Sequence, residues 1–275
     1  MRGKLSIILL IVFFASPLGA QELTGTLQQI KKSGQIKIGY RVSEPPMSFL
    51  DKDGNPTGYS IDLCKSIAIE VENKIGADVK VEYVPVTAGG RFKALGDNKI
   101  DILCGSTTKT LSRSELVDFT QLTFVTGASL MTLKDNKDFD SSGLDGKKIG
   151  VVKATTTAVE LKKLIRETST DAEVVLFNSA NESIDALRKK KIDAFSSDQI
   201  VLIGIALKAH DPMSFEISDS VFSFEPFALA VRRNDADFLY RSKKILEIYD
   251  KWIGKFTRQR LPIFDAMIKL NATPE

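Results

Sequence analysis

RFKALGDNKIDILCGS, residues 91–106, and SIDALRKKKIDAFSSD, residues 183–198, are one local design written twice. In both, Ala-Leu is followed after three residues by Lys-Ile-Asp, at a constant offset of 92. Ala94 answers Ala186, Leu95 answers Leu187, and Lys99-Ile100-Asp101 answers Lys191-Ile192-Asp193. A helix end, a tight turn and an apolar strand are one half of a βαβ unit. The same offset carries Ser106 onto Asp198, each just beyond the carboxyl end of its strand. Upstream, Lys37-Ile38-Gly39 is echoed by Lys148-Ile149-Gly150. The repeat is too long for a solenoid and predicts two similar α/β lobes.

Working outward, residues 36–40 alternate as a strand. Pro45, Pro46 and residues 51–58 carry turn chemistry. Ser60 is placed to cap a helix reaching about residue 74, with Ile61, Cys64, Ile67, Ala68 and Val71 on its apolar side. Strands are expected at 79–84 and 100–104, around a helix at 91–95. In the second unit, Leu161 and Leu164 belong to a helix, 174–177 to a strand, 184–189 to a helix and 192–195 to a strand. Each unit is thus β-α-β-α-β with a largely parallel sheet. Apolar, β-branched stretches at 119–132 and 221–231 follow the two units, then a helix at 238–252 and a tail at 261–270. The chain is therefore expected to build lobe 1 from 21–125, cross to lobe 2 at 126–222, and return through 223–275. The two crossings form a hinge.

Residues 1–20 differ in kind. Arg2 and Lys4 precede the apolar run 5–14, followed by Ser16, Pro17, Gly19 and Ala20. This is the layout of a secretory signal peptide, cleaved after Ala20. The run is about half the roughly 20 residues a bilayer span needs. Cys64 and Cys104 either pair, closing a loop worth roughly 3–4 kcal/mol in the chain-entropy model, or stay as two buried thiols. Lys plus Arg (38) and Asp plus Glu (35) are spread along the chain, which gives no nucleic-acid stripe.

Ligands of open α/β sheets bind beyond the carboxyl ends of the strands. In lobe 1 those positions hold Arg41 and Ser43, Thr87 and Arg91, then Ser106, Thr107, Thr108 and Arg113. In lobe 2 they hold Thr155, Thr156 and Thr157, residues 178–181, and Asp198. Singly, such residues cap helices or sit in solvent. Together they describe a site for a zwitterion. Arg113 grips a carboxylate bidentately, with Ser106 and Thr108 donating to the same group. The helix opened by Thr155–Thr157 offers its N–H groups to an anion, and Asp198 receives an ammonium. No Ser/His/Asp or Cys/His set, metal cluster or phosphate loop is present, and the single His210 lies in a polar stretch. No cofactor, metal or nucleic acid is expected.

Several motifs stand together: Pro45-Pro46-Met47-Ser48-Phe49 with Gly54, Gly58-Tyr59-Ser60-Ile61-Asp62-Leu63, Lys99-Ile100-Asp101-Ile102, Ser106-Thr107-Thr108 with Arg113, Asp118-Phe119-Thr120, and the run from Leu144 to Val151. As a set they resemble the periplasmic amino-acid-binding proteins of ABC importers, the family-3 solute-binding proteins. The resemblance covers nearly all of residues 21–275. It implies the type II periplasmic-binding-protein fold, two α/β lobes joined by a two-strand hinge with the ligand cleft between them. It also implies a non-enzymatic, monomeric, periplasmic protein that hands an L-amino acid to an inner-membrane permease. By position, Arg113, Ser106, Thr108 and Thr156 resemble the α-carboxylate site, Asp198 the ammonium acid and Phe49 the aromatic wall. Cys104-Gly105-Ser106-Thr107-Thr108 resembles the glutamate/aspartate-binding branch, where Arg41 and Arg91 match arginines that read an acidic side chain. The sequence departs from that branch at Ala88, where serine is expected, and at Ser179-Ala180-Asn181, which lacks a histidine. Arg41 also has Glu44 as a possible internal partner. A polar uncharged amino acid is the next ligand class. A dehydratase-like periplasmic enzyme and a soluble sensory receptor are the other occupations of this fold.

Overall fold

The computed structural model describes residues 22–136 and 143–256. The signal-peptide reading and the tail at 261–270 lie outside the described residues. In chain order the elements are α1 (Gly25–Ser33), β1 (Gln35–Tyr40), β2 (Ser43–Glu44), β3 (Ser48–Leu50), β4 (Pro56–Thr57), α2 (Tyr59–Ile75), β5 (Lys80–Pro85), α3 (Arg91–Gly96), β6 (Ile102–Cys104), α4 (Leu111–Ser114) and β7 (Asp118–Thr126). There follow β8 (Ala128–Leu133), β9 (Lys148–Val152), α5 (Thr156–Glu167), β10 (Glu173–Phe177), α6 (Ala180–Arg188), β11 (Ala194–Asp198), α7 (Gln199–Lys208), β12 (Phe215–Ile217), β13 (Glu225–Val231) and α8 (Ala236–Phe256).

Two α/β lobes result. The first has sheet order β5-β1-β6-β13-β7 and the second β10-β9-β11-β8-β12. Three strands of each run parallel in the same arrangement, and each sheet is completed by two antiparallel strands. Of these, β7 and β8 belong to the outward crossing and β13 to the return, so the sheets are mixed rather than largely parallel.

The repeated motif has the same physical content in both lobes. Asp101 accepts from the Lys37 backbone N–H at 2.8 Å, and Asp193 accepts from that of Lys148 at 2.7 Å. The backbone N–H groups of the two aspartates return bonds to the carbonyls of Lys37 and Lys148. The glycines two residues on fit for the same reason: a Cβ on Gly39 would stand 2.4 Å from Ile100 Cδ1, and one on Gly150 2.5 Å from Ile192 Cδ1.

Ser60 does not cap α2. Gly58 holds the cap position at φ +122, and the Ser60 hydroxyl instead donates to the Gly105 carbonyl at 3.0 Å, fixing the loop after β6. The turn-rich segment 43–57 builds a small sheet, β2-β3-β4, in addition to turns.

The crossings run side by side between the lobes. Phe222 N donates to Ala128 O at 2.9 Å, and Ala128 N donates to Ser223 Oγ at 3.0 Å. Met47 of the first lobe meets Ile200 and Val201 of α7 and Phe227 of β13 in an apolar cluster. Nearby, α7 lies against the Pro45-Pro46 backbone, so closely that a Cβ on Gly204 would stand 2.2 Å from the Pro45 carbonyl oxygen.

Cys64 and Cys104 are joined, with their Cα atoms 6.4 Å apart, which ties α2 to β6 across 40 residues. Mild reduction of the unfolded chain is expected to add the mass of two hydrogens. Reduction should also lower the thermal midpoint by on the order of 10 °C, from about 3–4 kcal/mol of loop entropy. Calorimetry with and without reductant measures the second effect, and an unchanged midpoint would refute it.

Candidate functional site

The carboxyl ends of β1, β6, β9 and β11 converge where the lobes meet. The cavity there is lined by Arg41, Glu44, Arg91, Ser106, Thr108 and Arg113 from the first lobe. The second lobe contributes Val152, Thr155, Thr156, Thr157, Ala180, Ser196, Ser197 and Asp198. Seven of the eight residues singled out from sequence are therefore brought together. Phe49 is not among them. It lies on β3, and its ring is covered by Lys208 Nζ of α7 at 3.9 Å from the centroid. Its place is a contact between the lobes, where Lys208 also donates to the Leu50 carbonyl at 2.9 Å.

Other strand-end candidates do ordinary structural work. Thr87 accepts from Gly90 N, Ser179 caps α6, and Asn178 bonds Glu182. Thr107 supports β13 through its carbonyl. His210 is exposed.

Asp198 occupies the cap position of α7 but makes no side-chain capping bond. It is buried, and its Oδ1 has no hydrogen-bond partner. Burial, reinforced by Glu225 and Glu44, holds its carboxyl well above the usual carboxylate range, while Arg113 and Arg91 oppose the shift. A group in that condition gains most from a cation brought beside it.

Arg91 is the converse. It is 3% exposed, its Nε has no partner, and it donates through one terminal nitrogen to the Ala88 carbonyl. Burial, then Arg113 and Arg41, pull its guanidinium down to about 9. Arg113 donates to the Thr108 carbonyl at 2.8 Å and is lowered by burial, with Glu225 and Asp198 acting in the other direction. Both guanidiniums lie over the Phe92 ring, at 4.7 and 5.6 Å, so an aromatic shelf holds them in place.

Arg41 is already paired: Glu44 lies 3.0 Å from it and also accepts from Ser106 Oγ at 2.5 Å. The Thr108 and Thr156 hydroxyls both donate to Glu225, at 2.5 and 2.6 Å. The hydroxyls expected to donate to a ligand carboxylate are thus turned toward the protein's own carboxylates. Arg113 and the backbone N–H groups of Thr156 and Thr157, which have no partner within the helix, remain for that role, that of Ala158 being capped by Thr155. Ala88 and Ala180 share an apolar cluster with Val152, so the two departures in sequence form one apolar wall beside Arg91.

Glu225 and Phe92 were not found from sequence. The signal for Glu225 is a lone acid in the apolar stretch 221–231, since a carboxylate held there needs partners. Phe92 carries no local signal. Among the described residues no cluster of His, Cys, Asp and Glu is arranged to hold a metal ion, and no helix is long and apolar enough to cross a membrane.

Comparison with known proteins finds the model for bacterial extracellular solute-binding proteins, family 3, matching residues 36–255. An L-glutamate/L-aspartate-binding protein of Pseudomonas aeruginosa is 32% identical over 289 residues, 98% of this chain and 95% of that protein. A glutamate/aspartate import solute-binding protein of Salmonella typhimurium is 30% identical over 255 residues, 89% and 83% of the two chains. Among solved structures, an ancestral arginine-binding protein bound to glutamine superposes with a TM-score of 0.70 at 29% identity, covering 79% of this chain and 92% of that one.

Proposed function

Because the chain belongs to family 3 of the bacterial extracellular solute-binding proteins, on their glutamate/aspartate branch, we propose that it captures L-glutamate or L-aspartate in the periplasm for delivery to an inner-membrane permease. The α-carboxylate is taken by Arg113 and the start of α5, the ammonium by Asp198, and the side-chain carboxylate by Arg91. The observation that carries the acidic preference is Arg91. It is a buried guanidinium with an unpartnered Nε and two like charges nearby, and a further anion would relieve all three conditions. Arg41 supports the reading less than its charge implies, since Glu44 already balances it. Signal-peptide cleavage after Ala20 and a monomeric state belong to the same proposal.

Calorimetric titration of residues 21–275, refolded free of carried-over ligand, tests it with L-glutamate, L-aspartate and L-glutamine. Micromolar affinity corresponds to about −8 kcal/mol. The acids should bind at least about tenfold tighter than glutamine, and R91A should bring them down to the glutamine level. Equal loss for glutamate and glutamine in R91A would remove Arg91 from side-chain recognition. Tighter binding of glutamine by the wild type would give the site to an uncharged side chain.

A further inference from the structure

Glu225 does not line the cavity, yet it bonds a lining residue from each lobe. It opens β13, the strand by which the chain returns to the first lobe, and is 1% exposed. Its Oε2 accepts from Thr108 Oγ1 of the first lobe and Thr156 Oγ1 of the second, at 2.5 and 2.6 Å, and those two oxygens stand 3.1 Å apart. Its Oε1 accepts from Ser223 Oγ at 2.7 Å, in the return crossing. Ser223 Oγ in turn accepts from Ala128 N, in the outward crossing. The charge of Glu225 also supports that of Arg113.

A carboxylate this deeply buried is tolerable only while its oxygens are bonded. One of its bonds comes from each lobe, so moving the lobes apart withdraws the Thr156 donor. We propose that Glu225 is a positioning residue, an internal anion that latches the two lobes over the bound amino acid while fixing the threonine hydroxyls and Arg113 at its carboxylate end. This inference rests on the capture reading above, but it concerns closure and retention rather than ligand choice.

The test uses residues 21–275 carrying one spin label per lobe at exposed helix positions, with pulsed dipolar spectroscopy of the interlobe distance, free and with L-glutamate. E225Q should shift the distribution toward longer distances in both conditions. In stopped flow, the L-glutamate dissociation rate should rise at least tenfold while the association rate stays within about twofold. A purely structural role would instead lower the thermal midpoint of the free protein and leave the interlobe distances of the folded fraction alone. T156V removes only the second-lobe donor and provides the check should E225Q fold poorly. It should widen the distribution too, and the double variant should be no wider than E225Q. Unchanged distances in both single variants would overturn the latch. Should wild type not bind L-glutamate, the capture reading fails for that ligand, and the ligand-free distances still decide the latch.

Discussion

Arg113→Ala abolishes binding of every α-amino acid, acidic or neutral, by an expected factor of at least about 100. The α-carboxylate is common to all of them, and Arg113 lines the cavity together with Thr155, Thr156 and Thr157 at the start of α5. Truncating one member of a buried, hydrogen-bonded charge pair costs about 2–5 kcal/mol or more, and each 1.4 kcal/mol is tenfold. Two local features raise the expectation toward the upper end. The hydroxyls of Ser106, Thr108 and Thr156 are spent on Glu44 and Glu225, so no neighbouring hydroxyl stands ready to substitute. Losing Arg113 also removes a cation that interacts with Glu225 and one of the two that offset Asp198. Titration of R113A with glutamate, aspartate and glutamine provides the measurement. A loss confined to the acids would place the side chain, not the α-carboxylate, on Arg113.

Asp198→Asn has the second large effect, and it is selective. Amino acids should weaken by about 100-fold, whereas the matching compounds without the amino group, glutarate for glutamate, should change by no more than a few-fold. The buried carboxylate must be ionised to receive an ammonium, and burial holds it above its ordinary range in the empty protein. Wild-type affinity therefore rises with pH until the free protein has lost that proton, and binding below that point releases one. D198N should erase this slope. The same linkage has an opposite sign for folding. A carboxyl whose folded value is raised binds its proton more readily in the folded chain. Its contribution is favourable below the unfolded value and is lost as pH rises through the folded one. D198N should thus raise the thermal midpoint of the ligand-free protein at neutral pH while it destroys binding. A lower midpoint would mean that Asp198 is held by favourable bonds rather than by cost.

The two lobes were legible because Lys-Ile-Gly and Lys-Ile-Asp are halves of one contact. The aspartate bonds the backbone of the first motif, and the isoleucine fills the space its glycine leaves. Strand ends follow from those motifs, and with them Arg41, Arg91, Ser106, Thr108, Arg113, Thr156 and Asp198. What was not legible depends on parts of the chain meeting late. Glu225 reaches Thr108 and Thr156 from 117 and 69 residues away. Its stretch reads locally as an apolar strand. Phe49 resembles a cavity wall by position in the family pattern alone. Its own pairing in the small sheet sends it to Lys208 instead. Ser60 is a strong capping residue in principle. A glycine at positive φ two positions earlier had already started the helix, which freed the hydroxyl for Gly105.

The approach of α7 to the Pro45-Pro46 backbone works as a mechanical stop. Where Gly204 meets the Pro45 carbonyl there is no side chain left to compress, so the gap between the lobes has a fixed minimum set by main-chain atoms. Lys208 of the same helix reaches Leu50 and Phe49 of the first lobe beside that stop. The limit on approach thus lies in rigid backbone, apart from the charged side chains that line the cavity. Gly204→Ala is expected to hold the lobes farther apart without altering any side chain that lines the cavity.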